Sequence, residues 1–167
     1  MRETSAMPED VAEAVERVSA YLREARAEAR VEEFRAGTPT AAHAARAVGC
    51  DLRNIVKTLV FDCGARIAVA MVPGDRRADA GKVAAACGAG GATIASAGRV
   101  KETTGFEPGA VSPFGILRAD AVLIERTLLG LDRVWVGAGS TRHMAGVAPT
   151  ELVRLTRAVP LDIVADD

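Results

Sequence analysis

Residues 51–75 read DLRNIVKTLVFDCGARIAVAMVPGD, and the interpretation of this stretch decides the fold. Two runs, 54–62 and 65–72, are rich in β-branched and apolar residues and flank Cys63-Gly64, where the glycine can supply the positive φ of a two-residue turn. The stretch therefore predicts a β-hairpin. With the turn at Cys63-Gly64, Lys57 lies opposite Ala70 and Leu59 opposite Ala68, so Ile55, Lys57, Leu59 and Phe61 share a face with Arg66, Ala68, Ala70 and Val72. The other face, with Val56, Thr58, Val60, Ile67, Val69 and Met71, is filled for a core. Small alanines across from one ammonium leave space above the sheet, and space with a single charge suggests a pocket. The alternative is that Lys57 guards an edge strand against aggregation, a common use of lysine. Of the 21 basic residues only Lys57, Lys82 and Lys101 are lysines. A lysine kept in so arginine-rich a chain favours a need for a compact, rotatable charge whose pKa can move.

Composition sets the limits around this hairpin. With 167 residues, 49% apolar and 26% charged, the chain suits one globular domain with a full core. A net charge of −1 excludes a global basic field for non-specific capture of nucleic acid, so any such contact must be local. Cys50, Cys63 and Cys87 form no CxxC pair, and with His43 and His143 they make no zinc pattern; no metal and no cofactor are expected. Reduced thiols point to the cytoplasm. No apolar run approaches the roughly 18 residues that span a bilayer, and the N-terminus lacks the signature of a signal peptide.

Outward from the hairpin, residues 8–35 carry Val11, Val15, Val18, Tyr21, Leu22 and Ala25 at helical spacing, predicting an N-terminal amphipathic helix, set apart as residues 1–30 from a main unit of 31–167. Thr38-Pro39 supplies an N-cap and first-turn proline for an alanine-rich helix that stops at Gly49. Residues 76–87 read as a helix with Lys82 on its solvated face, 92–95 as a short strand, and Ser96 as the cap of a helix ending near Thr104-Gly105. Residues 105–115, GFEPGAVSPFG, hold three glycines and two prolines, a loop whose backbone is free of a ladder. Strands at 121–125, 133–136 and 144–147 follow, then a helix opened by Pro149 and an extended LDIV segment. The total is six or seven strands and four or five helices in mixed order. The GAG at 137–139 lacks the rest of a dinucleotide fingerprint.

Taken together in order and spacing, Thr40-Ala41-Ala42 with Gly49, the IVKTLVF strand, Val72-Pro73-Gly74, TGFEPGAVSPFG, the GAG turn and the Pro149–Leu155 helix resemble the YbaK/ProX aminoacyl-tRNA deacylases, relatives of the editing domain inserted in bacterial prolyl-tRNA synthetases. The resemblance runs from about Val31 to Val164. It implies a mixed α/β fold around a strongly curved, barrel-like sheet with helices outside. It also implies that Lys57 is the family's strand lysine and that Gly109-Ala110-Val111-Ser112-Pro113 is its GxxxP loop, placing Lys57, Gly109, Ser112 and Pro113 in the catalytic centre. Thr40, Ala68, Ala70, Gly105, Phe114, Gly137 and His143 are the expected substrate-binding positions, His143 matching a histidine that selects small amino acids and Phe114 closing the pocket from the loop. His143 also admits a plainer reading as an ordinary strand histidine, and His43 reads as exposed.

The implied function is hydrolysis of the ester joining an amino acid to the terminal ribose of a mischarged tRNA, most simply tRNA for proline carrying alanine or cysteine. Water is the nucleophile, so the protein must position it and stabilise the oxyanion. Lys57 can do this as an ammonium, on the ester carbonyl or the terminal phosphate, or act as a base if desolvation lowers its pKa; the ammonium role is favoured. Partners would be the 3′ end of aminoacyl-tRNA and an optional synthetase, with no membrane. The alternative from another class is a non-catalytic member of the fold that binds an aminoacyl or nucleotide ligand, or a protein partner.

Overall fold

In the computed structural model, which describes residues 9–166, the predicted hairpin is β2 (Val56–Cys63) and β3 (Arg66–Pro73). Its turn is Gly64-Ala65 rather than Cys63-Gly64, since Cys63 pairs with Arg66, and every cross-strand partner moves by two residues. Lys57 therefore faces Val72, Leu59 faces Ala70 and Phe61 faces Ala68. A shift of two preserves the side-chain alternation, so each residue keeps its predicted face.

The remaining elements are α1 (Glu9–Glu24), β1 (Arg30–Glu33), α2 (Ala41–Val48), α3 (Ala80–Ala86), β4 (Thr93–Ile94), α4 (Ala97–Thr104), β5 (Ala121–Glu125), β6 (Val134–Ser140), β7 (His143–Val147), α5 (Pro149–Thr156) and β8 (Val159–Leu161), with short 3₁₀ turns at Leu52–Asn54 and Arg126–Gly130. The described residues thus hold eight strands, and these form two sheets, β1-β7-β6 and β4-β2-β3-β5-β8, rather than a closed barrel. Sequence patterning merges β1 into the first helix, because Val31 and its neighbours continue the helical spacing. The helix in fact ends at Glu24, and β1 pairs antiparallel with β7. Residue 8, the first of the predicted helical stretch, lies outside the described residues.

Local chemistry sets most boundaries. The N-cap of α2 is Thr40, not Thr38, and its hydroxyl accepts from the His43 amide. Asp79 and Ser96 cap α3 and α4 in the same way. β3 pairs antiparallel with β2 and parallel with β5, and Ile67 to Val72 are wholly buried on both faces. One face packs on α3, where Phe61, Ala68, Ala70 and Val72 meet Val83 and Cys87. Ala68 and Ala70 are fully buried in this second core, so the expected space above them is filled. The larger core joins Val56 and Met71 to Val18 and Leu22 of α1, Phe106 and Phe114 of the loop, and Leu152 and Leu155 of α5. Burial raises the Cys63 thiol to about 11, with Cys87 beside it adding to the effect, so Cys63 is protonated at neutral pH.

Two contacts tie distant segments together. Arg17 of α1 donates to the carbonyls of Gly105 (3.0 Å) and Gly115 (3.2 Å), both ends of the 105–115 loop, while its guanidinium lies 4.3 Å over the Phe106 ring. Lys82, instead of facing solvent, donates to Asp162, Asp166 and the Val164 carbonyl and pins the C-terminal segment. Arg17→Met should lower unfolding free energy by about 1.5–3 kcal/mol, the range for hydrogen bonds to charged groups, and speed proteolysis within residues 105–115 relative to the rest of the chain; chemical denaturation and limited digestion check both. Glu151, hydrogen-bonded to Arg154 and to the Glu28 amide, has its carboxyl pulled from 4.5 to about 2. A carboxylate with a depressed folded pKa stabilises above its unfolded value and loses that stabilisation as pH falls. Between pH 4.5 and about 2 the wild type should lose stability faster than Glu151→Gln, as read from urea midpoints measured along that range.

Candidate active site

The site lies where the two sheets fail to join. Ile55 and Trp135 make an isolated parallel bridge, after which β6 and β2 part. On its far side β4 pairs only with Phe61 and Asp62. Among the described residues, Lys57 to Leu59 are thus laddered to β3 on one edge and have no ladder partner on the other. Against this open edge sits a cavity of about 230 Å³, walled by α2 and Thr40, by β2, by Gly109 and Val111 of the loop, and by the β6–β7 hairpin. The volume falls below the roughly 300–1,000 Å³ typical of sites for drug-sized ligands. It suits a small acyl group whose larger remainder stays outside.

Lys57 is half-buried at this wall, and its Nζ donates to the Arg76 carbonyl at 2.6 Å. Burial lowers its pKa; Asp75 opposes the shift and Arg77 adds to it. An ammonium has three N–H groups, so one bond to a carbonyl orients the group and leaves two to donate.

The loop brings backbone rather than side chains. Gly109 has φ +84°, in the left-handed region that favours glycine. Gly137 of β6 abuts the same loop at Val111: a Cβ there would lie 2.6 Å from the Val111 carbonyl oxygen. Any side chain at 137 would push the loop off the sheet, so glycine is what lets two backbones form one wall.

His143 is 8% exposed, and its Nδ1 lies 2.6 Å from the hydroxyl of Ser140, its direct cross-strand partner. Burial lowers the imidazole pKa, which favours the neutral ring; Glu33 acts against the shift and Arg142 with it. The Thr58 hydroxyl, on a residue of the same wall, is buried without a hydrogen-bond partner among the described residues.

Of the residues expected from sequence, Thr40, Lys57, Gly109, Gly137 and His143 line one cavity. The others do not. Ala68 and Ala70 lie under α3. Ser112 is fully buried and its Oγ accepts from the Phe114 amide, shaping the loop. Pro113 continues that turn, and Gly105 ends α4 with its carbonyl on Arg17. Phe114 does not close the pocket: it is fully buried and stacks on Tyr21 at 6.0 Å, because the loop turns its aromatic inward. Sequence reasoning missed Val111, Ser140 and Met144 as wall residues. Ser140 alone had a usable signal, its spacing of three from His143 across a two-residue turn.

The wall also has counterparts in other proteins. Residues 35–155 match the family model of the aminoacyl-tRNA editing domain. The chain is 31% identical over 123 residues to the uncharacterised protein YwhH of Bacillus subtilis (strain 168), covering 73% of this chain and 78% of that one. It is also 31% identical over 142 residues to proline–tRNA ligase of Xanthomonas oryzae pv. oryzae, covering 83% of this chain but 25% of the ligase. Among solved structures, a protein proposed as a trans-editing enzyme for prolyl tRNA synthetase superposes with a TM-score of 0.86 at 32% identity, over 96% of this chain and all of that one. The hypothetical protein APE2540 gives 0.84 at 28% identity, over 89% and 99%. The matched region contains α2, the lysine strand, the loop and the β6–β7 hairpin, every element that walls the cavity, and on these grounds the chain belongs to the aminoacyl-tRNA editing domain family.

Proposed function

We propose that the protein is a cytoplasmic trans-editing deacylase that removes a small amino acid, alanine or cysteine, from mischarged tRNA for proline, with an aminoacyl-tRNA synthetase as its working partner. The observation that carries this reading is the small cavity at the unpaired edge of β2, where Lys57, Gly109, Gly137 and His143 meet. Support for proline as the cognate comes from the relatives, among them a proline–tRNA ligase and a structure proposed to serve prolyl tRNA synthetase.

The aminoacyl group enters the cavity while the ribose and the rest of the tRNA stay outside. Water attacks the ester carbonyl, the tetrahedral intermediate collapses, and the ribose oxygen leaves and takes up a proton. Charge develops on the carbonyl oxygen, so donors aimed there stabilise the transition state more than the ground state. Lys57 supplies such donors with a formal charge, its Nζ held in place by the Arg76 carbonyl. Gly109 and Gly137 allow the backbone walls to close on an acyl group of one or two side-chain atoms. Incubating the protein with a panel of labelled aminoacyl-tRNAs and following release of each amino acid tests the assignment directly.

Lys57→Ala should lower deacylation at least about tenfold, or about 1.4 kcal/mol in the barrier. Because burial lowers the Lys57 pKa, the folded state binds this proton less tightly than the unfolded state does. The charge therefore opposes folding at neutral pH, and that cost disappears as pH rises through the folded value toward 10.5. Lys57→Met should accordingly be inactive yet at least as stable as the wild type at pH 7. A Lys57→Met variant that is destabilised but fully active would make the lysine structural.

Size sets selectivity. Leu59 and Met144 on the cavity wall limit its depth, so alanyl-tRNA should be hydrolysed much faster than prolyl-tRNA, whose rigid ring overlaps the wall. Leu59→Ala should extend activity to larger amino acids. Equal rates on alanyl- and prolyl-tRNA would remove the sieve and the editing role with it.

A further inference from the structure

Ser140 and His143 close the β6–β7 hairpin as a directly opposed pair across the two-residue turn Thr141-Arg142. Both are 8% exposed, and the Ser140 Oγ to His143 Nδ1 distance is 2.6 Å. The same Oγ accepts from the Arg142 amide at 2.9 Å, the local serine turn that this spacing favours. These two contacts decide where the hydroxyl proton goes. A serine hydroxyl has one proton and two lone pairs. With the Arg142 N–H on one lone pair, the proton has a single acceptor among the described residues, Nδ1 of His143. If Nδ1 carried its own proton, Oγ would face two donors and its O–H would have no acceptor among the described residues.

The other ring nitrogen completes the picture. Nε2 of His143 has no hydrogen-bond partner among the described residues, yet it is not among the buried polar atoms left without one. It is therefore not fully buried, and the ring to which it belongs lines the cavity. We propose that Ser140 is a positioning residue that fixes His143 in the Nε2–H tautomer, so that the ring offers the cavity one neutral hydrogen-bond donor, aimed at an acceptor oxygen of the bound aminoacyl ester. A neutral donor suits that guest better than a lone pair or a cation does. The ester oxygens accept, while the substrate's own α-ammonium would be repelled by a charged imidazole. Burial of the ring supports the neutral form.

The inference rests on the deacylase reading only for its substrate; the tautomer itself does not. Long-range ¹⁵N–¹H correlation of the imidazole rings at pH 7.5 in the free protein reports the tautomer directly, and His43→Gln assigns the two ring systems. Wild-type His143 should show protonated Nε2 and unprotonated Nδ1. Ser140→Ala should lose this preference and give tautomer-averaged shifts, and Ser140→Thr, which keeps the hydroxyl, should restore it. A wild-type ring protonated on Nδ1, or an unchanged ring in Ser140→Ala, overturns the proposal. The wild-type spectrum decides alone if Ser140→Ala does not fold. In deacylation, Ser140→Ala should lower kcat/KM about three- to tenfold, the size of one neutral hydrogen bond, with rescue by Ser140→Thr. If no aminoacyl-tRNA is hydrolysed by the wild type, the functional reading fails while the tautomer assignment stands or falls on the spectra.

Discussion

The structure depends on an interrupted hydrogen-bond ladder. Strands β2 and β6 meet at the Ile55–Trp135 bridge and then separate, and the edge that a barrel would have sealed becomes the floor of a cavity. An unpaired strand edge is ordinarily a liability, because free N–H and C=O groups template aggregation. Here α2, the 105–115 loop and the β6–β7 hairpin cover it without pairing to it. The arrangement leaves the β2 edge facing a recess of about 230 Å³.

Holding the ladder open requires that the covering pieces be fixed from elsewhere. The loop cannot be held by pairing, so its two ends are gathered by the Arg17 guanidinium on the carbonyls of Gly105 and Gly115, and Phe106 and Phe114 anchor it in the main core. Its inner wall is fixed by contact with β6 at Gly137. The N-terminal helix is thus part of the same packing unit as the site. Its Val18 and Leu22 share a core with the loop aromatics and with β6.

The polar groups at the wall show the same economy. Lys57 is oriented by one carbonyl, and His143 by one hydroxyl. Each is partly desolvated, and in each case burial disfavours the charged form. The two differ in what remains available. Lys57 keeps spare donors with charge, while His143 keeps one ring nitrogen. A site for an ester that also bears an ammonium benefits from having its positive charge at one place only.

How far this was legible in the sequence depends on the range of the interactions. Capping residues, turn glycines, helical spacing and strand alternation act within a few residues, so β2, β3, β5, α4 and α5 follow from local pattern, as does the face occupied by Lys57. The family motifs add the loop and the GAG turn as one constellation. Local pattern could not separate β1 from the preceding helix, since a four-residue strand is stabilised by its ladder to β7 rather than by its own residues. Nor could it tell that Ala68 and Ala70 are buried in a core with Val83 and Cys87, that Phe114 turns inward, or that Lys82 binds the C-terminal segment, because each depends on a residue far along the chain. By itself the sequence determined the hairpin, its lysine and the chemistry available to the site. Tertiary structure alone decided where the space lies, at the open edge of β2 rather than above the alanines of β3, because packing of distant elements determines which gap is filled.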